Sequence, residues 1–255
     1  MQTIQVTTKD NYRILQLNRG KVNAINQVMI DELRQAIAAA EQDEGVGGMI
    51  LTGIPRFFSA GLDVKEIYDY NREEIRAFFT SFFALHRDLV KFTKPLICAI
   101  NGYSPAGGTV LAIAADYRIM VDGEQYVIGL NEMAVNIQIS QTLVNAYAFW
   151  LGASKANAFL LNGKLLHTQE ALSSGLVNEL VVNEEDLMVR AEAQMQRYLA
   201  ADPEIFANTK RKIRNYWLAE LEAGGEEELE EVLRIWWKPS VRDRMQAFVA
   251  SLSKK

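Results

Sequence analysis

Two five-residue apolar runs, Gly48 to Thr52 (GMILT) and Leu96 to Ile100 (LICAI), flank a long stretch of helical period. This arrangement restricts the fold more than any other feature of the chain. Between the runs, residues 72 to 92 place Ile75, Phe78, Phe79, Phe82, His86 and Leu89 on one broad face, and Lys94-Pro95 stops the pattern. Strand, helix and strand in that order predict crossover units and an α/β architecture.

The remainder agrees with that class. Ile4 to Thr7 and Tyr12 to Asn18 read as a hairpin around Lys9-Asp10-Asn11. Asn26 is placed to cap a helix carrying Met29, Ile30, Leu33 and Ile37 on one face and ending near Gly45. Thr109 to Ala115 reads as a buried helix, and Tyr117 to Val121 and Gln125 to Ile128 as strands flanking Asp122-Gly123. A helix from about Thr168 ends at Gly175 before a last short strand. From Glu184 onward the pattern is helical, broken at Gly224-Gly225 and Lys238-Pro239, with Met245, Phe248, Val249 and Leu252 at helical spacing in the last piece.

Composition narrows the partners. With 255 residues, 49% apolar and 23% charged, the chain reads as soluble and globular. A net charge of −5 supplies no positive field for nucleic acid or anionic lipid. The basic segment KRKIRNYW, Lys210 to Trp217, reads as an amphipathic helix with Ile213 and Trp217 inward, and the acidic run EEELEE as a solvated helix face. The single cysteine, Cys98, sits in an apolar strand and reads as a small buried hydrophobe. An N-terminus without signal-peptide features and apolar runs too short to span a membrane point to a reducing cytoplasm.

Familiar chemistries are thinly represented. G-x-S-x-G, G-x-G-x-x-G and Walker A patterns are missing, and two isolated histidines with one cysteine make no familiar metal set, so no metal or separate cofactor is expected. His86 reads as a core histidine and His167 as a surface or capping residue. Three features remain. In SAGLD the amide of Leu62 follows Gly61; in SPAGG the amide of Gly107 stands at the start of a helix; in YVIGLNEMAVNI a carboxylate, Glu132, stands among apolar residues. The two amides, if they converge, form an oxyanion hole, and taken singly each glycine reads equally as turn punctuation. Burial would raise the Glu132 pKa and suit it to proton transfer; the other reading is a surface glutamate capping the next helix.

Taken together, the segments resemble the crotonase (enoyl-CoA hydratase/isomerase) superfamily. They are KVNAIN (21 to 26), FFSAGLDVKEI (57 to 67), KPLICAINGYSPAGG (94 to 108), ADYRIM (115 to 120), IGLNE (128 to 132) and LNGKLLHTQEALSSGLVNELV (161 to 181), in family order. The resemblance implies a spiral of ββα units in a core over residues 1 to 200, and a helical region over 201 to 255 that builds homotrimers or hexamers. That assembly is expected to use apolar stripes including Trp236, Trp237, Met245 and Phe248. The implied ligand is an acyl-CoA thioester, with coenzyme A as part of the substrate. Leu62 and Gly107 are then the oxyanion amides and Glu132 the acid/base group. Val22, Ala24, Ala60, Gly61, Asp63, Val64, Lys65 and Asn131 are the residues implied for CoA and substrate binding.

Within that family, hydratases carry a second glutamate three residues after the oxyanion glycine, where this chain has Val110. The segment IGLNE resembles the mitochondrial type of 3,2-trans-enoyl-CoA isomerase, which works with one glutamate. The expected reaction is therefore the shift of 3-enoyl-CoA to trans-2-enoyl-CoA. Alternatives are another crotonase reaction, hydration or decarboxylation, and a non-catalytic RNA-binding scaffold. Asn136 stands where relatives usually have glycine, and the QISQ that follows lacks their usual turn residues.

Overall fold

The computed structural model describes the backbone of residues 1–223 and 225–252, and their side chains apart from those of 135, 216–223 and 252. The chain opens with an antiparallel hairpin, β1 (Ile4–Lys9) and β2 (Tyr12–Leu17), followed by α1 (Gln27–Gln42). Asn26 caps α1 by accepting from the Met29 N–H, and Met29, Ile30, Leu33 and Ile37 are buried. Three units then repeat one plan. The first is β3 (Gly48–Thr52), β4 (Arg56–Phe57), α2 (Val64–Ile67) and α3 (Arg72–Lys91). The second is β5 (Leu96–Ile100), β6 (Gly102–Pro105) and α4 (Gly107–Ile113). The third is β7 (Tyr117–Val121), β8 (Val127–Gly129) and α5 (Glu132–Val135).

In each unit the first strand enters a large sheet of order β1-β2-β3-β5-β7-β10, and the second enters a small sheet of order β4-β6-β8-β9. The strands flanking Asp122-Gly123 therefore do not pair with each other. β7 lies parallel to β5, whereas β8 lies parallel to β6. The physical reason is burial: β5 is buried along its whole length and β7 along nearly all of it, so the large sheet's interior recruits them, and the chain must leave it before each helix.

The remaining elements are α6 (Gln141–Leu151), α7 (Ala153–Leu161), β9 (Leu166–His167), α8 (Thr168–Ser174), β10 (Glu179–Val181), α9 (Glu184–Leu199), α10 (Pro203–Ala223), α11 (Gly225–Trp236) and α12 (Pro239–Leu252). Gly175 ends α8 in the left-handed conformation expected of a helix terminator. His167 is the exposed N-cap residue of α8 but makes no side-chain cap bond.

The basic segment of α10 packs differently from its expected orientation. Ile213 is 54% exposed, while Lys210 and Arg214 are the residues turned inward. Both pair with the carboxylate of Asp116, at 2.6 Å each, and Lys210 also donates to the Lys94 carbonyl. A largely covered acid at the head of β7, its side chain 11% exposed, outweighs the apolar preference of Ile213, because leaving that charge unpaired costs more than exposing one isoleucine. Trp217, expected inward, and Leu252 have side chains outside the described residues. Trp236 and Met245 are buried within their own chain, so they are not free to form the subunit contact expected of them; Phe248 is 37% exposed.

Candidate active site

The small sheet positions the site. β4, β6 and β8 are parallel, so the segments leaving their C-terminal ends emerge on the same side. These segments are SAGL, AGG and LNE, and they carry the three features singled out in the sequence.

At the end of β4 the chain is held by the loop before α1. Ala60 N–H donates to the Val22 carbonyl at 2.9 Å, Ile25 N–H to the Gly61 carbonyl at 2.8 Å, and Asp63 N–H to the Ile25 carbonyl at 2.9 Å. Gly61 has φ +87°, which turns the backbone so that the Leu62 N–H is left out of this zipper. Ser59 is fully buried and donates to the Asn23 carbonyl at 2.7 Å while accepting from Gly61 N–H at 3.1 Å. It shapes the turn and is not presented as a nucleophile.

At the end of β6, Ala106 is held at φ 48°, ψ −117°, and Gly107 begins α4. A non-glycine residue in that region stores strain, and such strain is found where a backbone group must be aimed. The two turns touch. A Cβ at Gly107 would stand 3.2 Å from both Gly61 Cα and Leu62 N. Neither Leu62 nor Gly107 has an acceptor for its N–H among the described residues.

Glu132 follows β8 as the first residue of α5. It is 8% exposed, with Oε2 free of hydrogen bonds, and burial pushes its carboxyl up to about 7 against a small opposing pull from its own backbone N–H. Glu132 is thus buried and is not a surface cap; the N-cap of α5 is Asn131. Asn131 beside it also has a buried, unpartnered Oδ1.

Ala60, Leu62, Val64, Gly107, Asn131 and Glu132 line one cleft of about 190 Å³, and Glu132 is its single carboxylate among the described residues. The other expected binding residues stand behind or beside it. Val22 and Gly61 form the backbone zipper, Lys65 is exposed, and the Ala24 carbonyl accepts from Arg19. Asp63 is occupied as the cap of α2 and as the partner of Arg19 at 2.7 Å. Sequence reasoning missed two supports, Arg19 and Asn23; the Asn23 Nδ2 donates to the carbonyls of Leu17 and Phe58. It also missed the apolar walls Phe79, Phe82 and Phe83 from α3 and Phe248 from α12, which looked like ordinary helix faces. Val110 is not part of the cleft; it is buried and lines a separate cavity beside it.

Among the described residues no group of three or more His, Cys, Asp or Glu is placed to hold a metal, and no helix is long and apolar enough to cross a membrane. Cys98 is buried, and burial pushes its thiol up to about 12.

Comparison with known proteins agrees with this geometry. Enoyl-CoA delta isomerase 1, mitochondrial, of Mus musculus is 30% identical over 243 residues, covering 95% of this chain and 84% of that protein. A probable mitochondrial enoyl-CoA hydratase of Dictyostelium discoideum is 31% identical over 85% of this chain and 76% of that protein. The crystal structure of human mitochondrial delta3-delta2-enoyl-CoA isomerase superposes with a TM-score of 0.96 at 26% identity, covering 99% of both chains. Residues 8–253 match the family described as enoyl-CoA hydratase/isomerase. With its crotonase fold and the site assembled at the ends of three parallel strands, the chain belongs to the enoyl-CoA hydratase/isomerase family.

Proposed function

We propose that the protein converts a 3-enoyl-CoA to the trans-2-enoyl-CoA. The observation that carries this reading is the lone buried carboxylate: Glu132 shares the cleft with the unpaired amides of Leu62 and Gly107 and with no second acid among the described residues. In this reading ionised Glu132 removes a proton from C2. The electron pair moves onto the thioester oxygen, where the two N–H groups stabilise it. The resulting acid returns the proton to C4 as the double bond settles between C2 and C3, so no atom is gained or lost. Hydration requires an oriented water as well, a task commonly shared by two carboxylates.

The adenine and pantetheine of coenzyme A are assigned to the Ala60 to Val64 turn, with Lys65, Val22 and Ala24 alongside. Coenzyme A enters as part of the substrate, and no separate cofactor is assigned. Purified protein should generate the conjugated 2-enoyl thioester absorbance from 3-enoyl-CoA. Hydration of 2-enoyl-CoA without isomerisation would overturn the assignment.

The proposal includes a homotrimer or hexamer, supported by Ile205 and Ile213, exposed on α10 and close to two turns apart, and a reducing cytoplasm, supported by the free thiol of Cys98. Sedimentation and cell fractionation test these two points. A non-catalytic RNA-binding role finds little support, since Lys210 and Arg214 are spent on Asp116.

A further inference from the structure

Beside the cleft lies a second cavity of about 510 Å³, which also reaches the exposed residues Thr80, Gly225 and Glu226. Phe82, Phe83 and Leu143 belong to the walls of both, so these three side chains separate the two spaces. The cleft is walled mainly by apolar groups, whereas the second cavity presents His86, Ser140 and Thr142, all buried.

His86 is the telling residue. It is 4% exposed on the inward face of α3, and neither ring nitrogen has a well-aligned hydrogen-bond partner among the described residues. Burial pushes its imidazole down to about 4, against the pull of the Val110 carbonyl and with a further push from Arg214, so it is neutral near pH 7; with its one N–H toward that carbonyl, the other nitrogen remains an acceptor. Ser140 accepts from Leu143 N–H at 3.3 Å and retains its own O–H for donation. Buried polar groups of this kind disfavour an apolar occupant, which would leave them unpaired. An anionic occupant is disfavoured too. Among the described residues Arg87 is the only cation lining the cavity, and Glu226 and Glu228 line it as well.

We propose that this cavity receives the far end of the acyl chain and selects chains that end in a neutral hydrogen-bonding group, a hydroxyl in particular. The proposal rests on the acyl-CoA reading of the cleft. Phe82, Phe83 and Leu143 are then the gate the chain passes, and His86, with the hydroxyls of Ser140 and Thr142, is the group that reads its end.

The test is a series of 3-enoyl-CoA thioesters of increasing length, each with and without a terminal hydroxyl, assayed for kcat/KM. At the length that reaches His86 the hydroxylated member should be favoured about threefold to tenfold, the worth of a net hydrogen bond. That ratio should fall to one in His86→Leu and persist in part in His86→Gln. If His86→Leu does not fold, Thr142→Val should still lower the ratio. A wild-type enzyme that disfavours the hydroxyl at every length, or a ratio unchanged in the variants, overturns the proposal. The shortest substrate, which stays within the cleft, tests isomerisation separately. If it is not turned over, calorimetric affinities for saturated acyl-CoA and terminally hydroxylated acyl-CoA decide the cavity's role by the same ratio.

Discussion

Arg244 on α12 donates to Asn136 Oδ1 at 2.9 Å, and Asn136 is the residue that ends α5, the short helix begun by Glu132. Asn136 sits at φ 58°, ψ 37°, the left-handed region, which glycine adopts freely and asparagine tolerates better than most other residues. The hydrogen bond ties the C-terminal helix, which also sends Phe248 into the cleft, to the segment holding Glu132. Asn136→Ala should cost about 1–2 kcal/mol in stability from the backbone alone. Asn136→Gly should keep the fold but share a raised KM with Arg244→Ala, because both lose the tether. Urea unfolding and steady-state kinetics check the pair, and an Arg244→Ala enzyme with unchanged KM would deny the tether a role.

Glu132 sets the pH response. Its carboxyl is raised from 4.5 to about 7, so the ionised base is scarce below that value, and kcat/KM should rise about tenfold per pH unit toward 7 and then level off. Stability has the opposite sign. Between 4.5 and about 7 the folded chain holds a proton that the unfolded chain releases, so this group's contribution falls as pH rises through that window and is flat outside it. Glu132→Gln should abolish turnover and, at about pH 8, be more stable than the parent by up to about 3 kcal/mol. A pH profile with its midpoint near the ordinary carboxylate value would contradict the burial argument.

Val110→Glu asks whether a second acid at this position would confer hydration. Val110 is 1% exposed and faces the second cavity beside Phe82 and His86. A carboxyl there would be desolvated and held protonated, at a cost of several kcal/mol in stability. The expected outcome is a destabilised enzyme that still isomerises and does not hydrate 2-enoyl-CoA. Appreciable hydration by the folded variant would show that the new carboxyl reaches the cleft.

Gly107→Ala should strike the oxyanion amides. The added Cβ would stand 3.2 Å from Gly61 Cα, Leu62 N and Ile25 Cδ1, so the two turns must part by a few tenths of an ångström. Misaiming donors that act on the transition state should lower kcat by about tenfold to a hundredfold with a smaller change in affinity for a saturated acyl-CoA. A variant with parental kcat would remove Gly107 from the role.

Asp116→Ala should unfold the chain readily. It leaves Lys210 and Arg214 buried without their shared carboxylate and also takes the acceptor of the Leu96 N–H. The expected loss is about 3–5 kcal/mol, read from the urea midpoint. A loss below about 1 kcal/mol would mean that water reaches both cations.

Much of the local structure was readable because it is encoded within a few residues of itself. The caps at Asn26 and Gly175, the inward face of α3 and the apolar runs that become β3 and β5 follow from hydrogen-bonding chemistry and period. The site motifs were also readable one at a time, as two glycine turns and a glutamate among apolar neighbours. Their convergence was not a local property. It arises because alternate strands leave the large sheet for the small one, which sets the ends of β4, β6 and β8 side by side. The inward faces of Lys210 and Arg214, the entry of Phe248 into the cleft and the place of His86 in the second cavity were likewise decided by long-range packing. A helical period reports which residues share a face. It does not report whether that face meets an ion pair, a cleft or a cavity, since those are supplied by chain far away in sequence, as Asp116 Oδ1 and Oδ2 are for Arg214 and Lys210 across 98 and 94 positions.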